Sequence, residues 1–207
     1  MSLASRERAA LCDLFDEVGP DAPTLCEGWD TRDLAAHLHL REASPLAAGI
    51  VISPLSGAME RRQREMASGD WNTLVNRVRT PPRWSFSSIE PLDARLNAAE
   101  YFVHHEDVRR AQPGWEPREL SDSDERALWG VLQAMAKRFY SKSTVPVVLR
   151  RPDGAEIIAK PGHPAVILSG PVSELVMHAH GRTDHIILEV EGPSVLVEAF
   201  EETPLGI

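Results

Sequence analysis

The residues best suited to holding a divalent cation fall in one short stretch. Glu100, His104 and Asp107 are spaced i, i+4, i+7. A helix advances about 100° per residue, so this spacing sets all three along one stripe. The stripe lies beside an apolar one made by Leu92, Leu96, Ala99 and Val103. Placing a carboxylate and an imidazole at the edge of a core is costly unless something pairs with them. A divalent cation would neutralise that cost, and Glu100 and His104, one turn apart, can grip the same ion. His105 points about 100° away and is not expected to share it. Asp107 fits the part of an acceptor that orients an imidazole, a part Asp33 could also play one turn before the next candidate, His37. His37 lies between Leu34 and Leu38 on a second helical pattern, and bundles build metal sites from inward side chains of facing helices. Two histidines and one carboxylate suit zinc with an open position, or iron, nickel or manganese with bound water. The residues alone equally fit a plainer arrangement, with His37 a hydrogen-bonded core residue and Glu100–His104 an intrahelical pair.

The elements that would position these residues can be read from periodicity and punctuation. Apolar spacing predicts a first helix over residues 4–17, broken by Gly19-Pro20 and Ala22-Pro23. Asp30 or Thr31 then caps a second helix from Arg32 to about Ala43, stopped near Pro45. A third helical region runs from about Gly57 to Arg79, with a break near Gly69, and Pro81-Pro82 ends it. The helix carrying Glu100 and His104 is expected from about Leu92 to Ala111. Ser121 to Glu125 combines hydroxyl caps with carboxylates favoured at a helix start, and Leu128, Met135 and Phe139 continue as an apolar stripe. After Tyr140 the pattern changes to short β-branched runs at 145–149, 155–159, 165–168, 185–190 and 195–200, with one helix at 171–180. The expectation is an α+β chain: a helical bundle over residues 1–140 and a small C-terminal α/β domain over residues 141–207.

Composition narrows the function classes. The chain has 31 acidic and 22 basic residues, a formal charge of −9, which argues against nucleic acid and gives no attraction to anionic lipid. Its densest basic run, Arg61-Arg62-Gln63-Arg64, sits in a helical pattern and reads as a solvated face. No stretch approaches the roughly 18 apolar residues of a membrane span, and the charged N-terminus lacks the apolar run of an export signal. Cys12 and Cys26 form neither a disulfide framework nor a C-x-x-C pair, which agrees with a reducing, cytoplasmic setting. Cys12 falls in the first apolar pattern, and Cys26 in a loop, where packing is a more ordinary use than nucleophilic attack. An H-E-x-x-H protease pattern, a G-x-S-x-G elbow, a P-loop and a dinucleotide fingerprint are all absent from the sequence.

Two phrases bear a resemblance to a known family. Leu25-Cys26-Glu27-Gly28-Trp29, followed by Arg32-Asp33-Leu34-Ala35-Ala36-His37-Leu38, resembles a signature of the mycothiol-dependent maleylpyruvate isomerase metal-binding domain, a relative of the DinB-like bundles. Asn97 to Asp107 is similar to the family's second signature, a glutamate four residues before a histidine. The resemblance implies a DinB-like four-helix bundle whose metal is held by His37, Glu100 and His104. It runs from near residue 4 to about residue 140 and extends weakly to Gly170-Pro171 and Gly181-Arg182. It further implies a functional arginine in the tail, Arg182, clamping a small anionic substrate. The function it implies is that of a metal-dependent enzyme using a low-molecular-weight thiol for S-transfer or isomerisation. The other reading is a non-catalytic metal-binding or sensing module.

Overall fold

The computed structural model describes residues 1–43, 56–81 and 97–205. The chain divides into two compact units, Met1–Pro117 and Arg118–Ile207.

The described helices of the first unit are α1 (Leu3–Val18), α2 (Thr31–Ala43), α3 (Ser56–Ala67), α4 (Trp71–Arg79) and α5 (Ala98–Arg110). Helix α1 starts where the Ser2 hydroxyl accepts from the Ser5 N–H. It stops at Gly19, whose φ of 80° is a left-handed conformation that glycine adopts without penalty. The Asp30 carboxylate accepts from the Asp33 N–H and so caps α2, one of the two residues expected to do so. The break near Gly69 is present. Asp70 starts α4 by accepting from Thr73, while the Arg32 guanidinium donates to the carbonyls of Ala67 and Gly69 at the end of α3. Leu92 and Leu96 lie outside the described residues, as does the stop at Pro45, whereas Ala99 and Val103 are buried as their stripe predicts. The basic run beginning at Arg61 is exposed at each of its arginines.

Helix α1 packs on α5 and α4, and α2 packs on α3 and α4. Leu11, Phe15, Leu34, Leu38, Val75, Val78, Tyr101 and Val108 form the core with Cys12. Burial pushes the Cys12 thiol up to about 12, as befits a thiol used for packing. A polar knot joins α1, α2 and α5 inside this apolar mass. Arg8 Nη2 donates to Glu42 Oε1 at 2.7 Å, and the Tyr101 hydroxyl donates to the same oxygen at 2.5 Å. The Arg8 guanidinium also lies 4.4 Å from the Tyr101 ring centroid.

The second unit comprises α6 (Asp122–Phe139), β1 (Val147–Arg150), β2 (Glu156–Lys160), β3 (Val166–Ser169), α7 (Val172–Ala179), β4 (Glu189–Glu191) and α8 (Ser194–Glu201). Ser121 caps α6 as its sequence suggests. The sheet order is β2-β1-β3-β4, with β1 and β3 parallel and both outer pairs antiparallel. Helix α6 packs on β2 and α7, so it groups with the sheet, whereas the sequence reading placed it with the bundle.

Two expectations in the tail require correction. Residues 195–200 form α8 and not a strand. Pro193 precedes the helix, its carbonyl accepts from Leu196 and Val197, and only Phe200 of that helix is buried. The β-branched Val195 and Val197 yield to this local start signal and to Phe200, whose ring stacks on His178 with centroids 5.6 Å apart. The run at 185–190 contributes only β4, after a 3-10 turn at Thr183–His185.

Two measurements follow. Removing one partner of a buried ion pair leaves the other charge uncompensated, so Glu42→Ala should cost roughly 3–5 kcal/mol in urea unfolding. In the second unit, the His178 Nδ1 and the Tyr140 hydroxyl share a 2.8 Å hydrogen bond, and burial lowers the His178 pKa from 6.5 to about 4. Above pH 6.5 both folded and unfolded chains hold this imidazole neutral. As pH falls towards 4 the unfolded chain gains a proton that the folded chain refuses, so stability falls by about 3 kcal/mol. His178→Phe should flatten that part of the pH profile; an unchanged profile would show that His178 does not control it.

Candidate metal centre

The loop between α1 and α2 is built to hold its end of the site in place. The Thr31 hydroxyl donates to the Gly19 carbonyl at 2.6 Å, the Thr24 hydroxyl to the Trp29 carbonyl at 2.8 Å, and the Leu25 N–H to the Asp107 carbonyl at 3.0 Å. Gly28 takes φ 76° at the tip, which explains a glycine before Trp29. The Trp29 ring then rests 5.0 Å, centroid to centroid, from that of His37 on α2.

On α5, Glu100 and His104 face His37. Glu100 Oε1 lies 3.5 Å from His37 Nε2 and 3.4 Å from His104 Nε2. The two imidazole rings meet edge-on, with centroids 5.5 Å apart. One ligand atom from each of the three side chains lies within 4.8 Å of the others. The structure thus brings together the three residues singled out in the sequence. His105 turns away and pairs through Nδ1 with Glu7 Oε2 of α1 at 2.7 Å.

Behind His104 stands Asp107, fully buried, with Oδ2 2.9 Å from His104 Nδ1. A carboxylate there holds the proton on Nδ1, so it is Nε2 that faces Glu100 and that a cation would take in place of a proton, as in carboxylate–histidine–metal triads. The Cys26 thiol donates to the same Asp107 oxygen at 3.2 Å and lies 3.9 Å from His104 Nδ1. Cys26, His104 and Asp107 form a second group of donors within reach of one another. Sequence reasoning assigned Cys26 no place in the site, because nothing local to residues 25–29 announces a contact with α5.

Arg41 went unnoticed as well, although it follows His37 by four residues and so shares its face of α2. Its Nε lies 3.1 Å from Glu100 Oε1, and its Nη1 donates to Asn97 Oδ1 at 2.5 Å. Arg182 belongs to the second unit, where its Nη1 donates to the His180 carbonyl at 2.5 Å.

The electrostatics follow from these contacts. Burial pushes the His37 imidazole down, against the hydrogen bond it gives to Glu100. Burial also opposes charge on Glu100, but hydrogen bonds from His104 and His37, with the charges of His104 and Arg41, hold it well below the usual carboxylate range. For His104 burial is again the first influence and opposes charge, yet Asp107, Cys26 and Glu100 outweigh it and raise the pKa well above the usual imidazole value. A cation arriving there competes with a proton on His104. The donor set fits a divalent ion: two imidazole nitrogens and one ionised carboxylate converge, and one imidazole is already oriented. The His37 and Glu100 side chains remain 33% and 25% exposed, so the cluster has a side open to solvent.

Residues 1–68 match the family described as the mycothiol maleylpyruvate isomerase N-terminal domain. Among solved structures, the chain is similar to a crystal structure of the mycothiol-dependent maleylpyruvate isomerase and to that of a His-to-Ala mutant of it. In each comparison the identity is 17% and the TM-score 0.62, over 91% of this chain and 90% of the other. At that identity the likeness establishes the fold. No curated protein matches the chain. No helix among the described residues is long and apolar enough to cross a membrane.

The donor arrangement generates a graded expectation for metal uptake, read by elemental analysis and competitive chelation. Zinc should bind at about one ion per chain through this ligand set. His37→Ala and Glu100→Ala should abolish that uptake, and Asp107→Asn should weaken it by about 10- to 100-fold. Unchanged affinity in His37→Ala would remove His37 from the ligand set.

Proposed function

We propose that this chain is a divalent-metal-binding enzyme that uses a low-molecular-weight thiol of the mycothiol class. It would carry out S-transfer or isomerisation on a small anionic substrate in the cytoplasm. Its first unit is read as a DinB-like four-helix bundle, with α3 and α4 as one interrupted helix. The observation that carries the proposal is the convergence of His37, Glu100 and His104 on one point with a solvent-open side. Structural metal sites are closed by protein donors, whereas catalytic ones keep a position for an exchangeable ligand.

In this reading His37, Glu100 and His104 hold the ion, with zinc the first choice and nickel, iron or manganese the others. Asp107 keeps the His104 ring turned towards it. A divalent cation at this point lowers the pKa of a thiol bound to it and so supplies a nucleophile at neutral pH. Glu100, held ionised by its neighbours, offsets part of the ion's charge. Trp29 covers one side of His37 and limits its ring motion. Arg182 is the tail residue proposed to hold the carboxylate of the substrate.

The test is thiol consumption by zinc-loaded protein, with mycothiol as the thiol and a panel of small anionic electrophiles and group donors. Metal-dependent thiol loss with at least one of them is expected, falling to background in Glu100→Ala and on chelation. No metal-dependent consumption across the panel would count against the enzyme. A coordination shell filled by protein donors, read by X-ray absorption, would establish the metal-binding or sensing module instead.

A further inference from the structure

Arg41 is the feature of this site that neither the ligand set nor the family resemblance uses. Its guanidinium is anchored at two points. Nε lies 3.1 Å from Glu100 Oε1, the atom nearest both imidazoles, and Nη1 donates to Asn97 at the start of α5. A guanidinium has five N–H donors. Even with the Nε side given to the Glu100 ion pair, three of them remain without a partner among the described residues, and the side chain is 23% exposed. The fork is held still by one edge while its other edge is available.

Charge supplies the second argument. With both imidazoles neutral, a divalent ion, the Arg41 guanidinium and the Glu100 and Asp107 carboxylates together leave one net positive charge in a partly buried pocket. A guanidinium beside a dication is unfavourable in such a setting unless an anion answers both. A purely structural partner for Glu100 needs neither the unused donors nor the exposure.

We propose that Arg41 is a further anion-binding residue of the metal pocket, in addition to Arg182, its remaining N–H donors gripping a carboxylate of a small substrate beside the ion. The inference rests on the metal-centre reading and narrows it, by assigning the substrate class to short carboxylates recognised from α2. The planar fork matters: a lysine offers a point charge without the paired donors.

The experiment is calorimetric titration of zinc-loaded protein with succinate, for wild type, Arg41→Lys, Arg41→Gln and Arg182→Gln, with zinc content measured for each. Arg41→Gln should retain its zinc and bind succinate about 10- to 100-fold more weakly, the loss of a charge-assisted contact. Arg41→Lys should fall between that variant and wild type. Unchanged succinate affinity in Arg41→Gln, or a loss of zinc in step with a loss of succinate, would overturn the proposal; in the second case Arg41 only supports Glu100. If wild type takes up no zinc, the metal-centre reading fails by itself. Arg41 is then judged by nuclear magnetic resonance on the wild-type chain. A succinate-dependent shift of the Arg41 Nε–H signal supports anion binding, and the absence of a shift overturns it.

Discussion

The arrangement of the first unit depends on one buried ion pair. Arg8 of α1 and Glu42 of α2 meet at 2.7 Å with side chains 7% and 2% exposed, and Tyr101 of α5 closes on the same carboxylate oxygen. Three helices that would otherwise be joined by non-directional apolar packing are thereby set in one register. A buried charge pair contributes little net stability compared with well-packed apolar residues, because both ions lose their hydration. What it does contribute is direction, since a hydrogen bond of this length tolerates little sliding. Glu42 follows Arg41 in the chain, and Tyr101 follows Glu100. The contact that locks α2 against α5 therefore fixes the separation of the candidate ligands on the neighbouring positions.

Helix α5 shows how much buried charge a small core can hold when each group has an assigned partner. His105 pairs with Glu7, while Glu106 receives Arg110 at 2.7 Å and Arg109 at 2.8 Å. Asp107 is shared by His104 and Cys26. The Arg110 guanidinium also lies 4.8 Å from the Trp115 ring centroid. Left unpaired, any of these would cost several kcal/mol. His105 turns to α1 and Glu106 is answered within α5, while Glu100 and His104 face His37 of α2. That division explains why two consecutive histidines serve unrelated purposes.

The site is ordered from behind and open in front. Asp107 and Cys26 constrain the rear nitrogen of His104, the loop at residues 19–30 is tied to α5 through Leu25, and Trp29 sits on His37. The exposed parts of His37, Glu100 and Arg41 face the other way. Ligand atoms held from outside the immediate cluster lose less freedom on binding, which is the physical advantage of such support.

Spacing alone was enough to make Glu100, His104 and Asp107 a group, since helical periodicity is a local property and each lies within two turns of the next. The same locality made the Ser121 cap, the break at Gly69 and the helix opened by Pro171 legible. His37 was a candidate from its apolar flanks but joined the group mainly through a family phrase, because periodicity carries no information about which face meets which across sixty residues. The contacts of Arg41 and Cys26 were not legible for that reason: their partners lie on another element, and only packing decides who they meet. The placement of α6 with the sheet and the helical form of residues 194–201 were likewise tertiary decisions, in which burial of Phe200 and contacts with β2 and α7 overrode the local β preference and the apparent grouping. Sequence by itself determined which residues could act and the helices that carry them. Tertiary structure decided which of them meet, because the energy that brings α2 to α5 comes from long-range burial and one shared carboxylate.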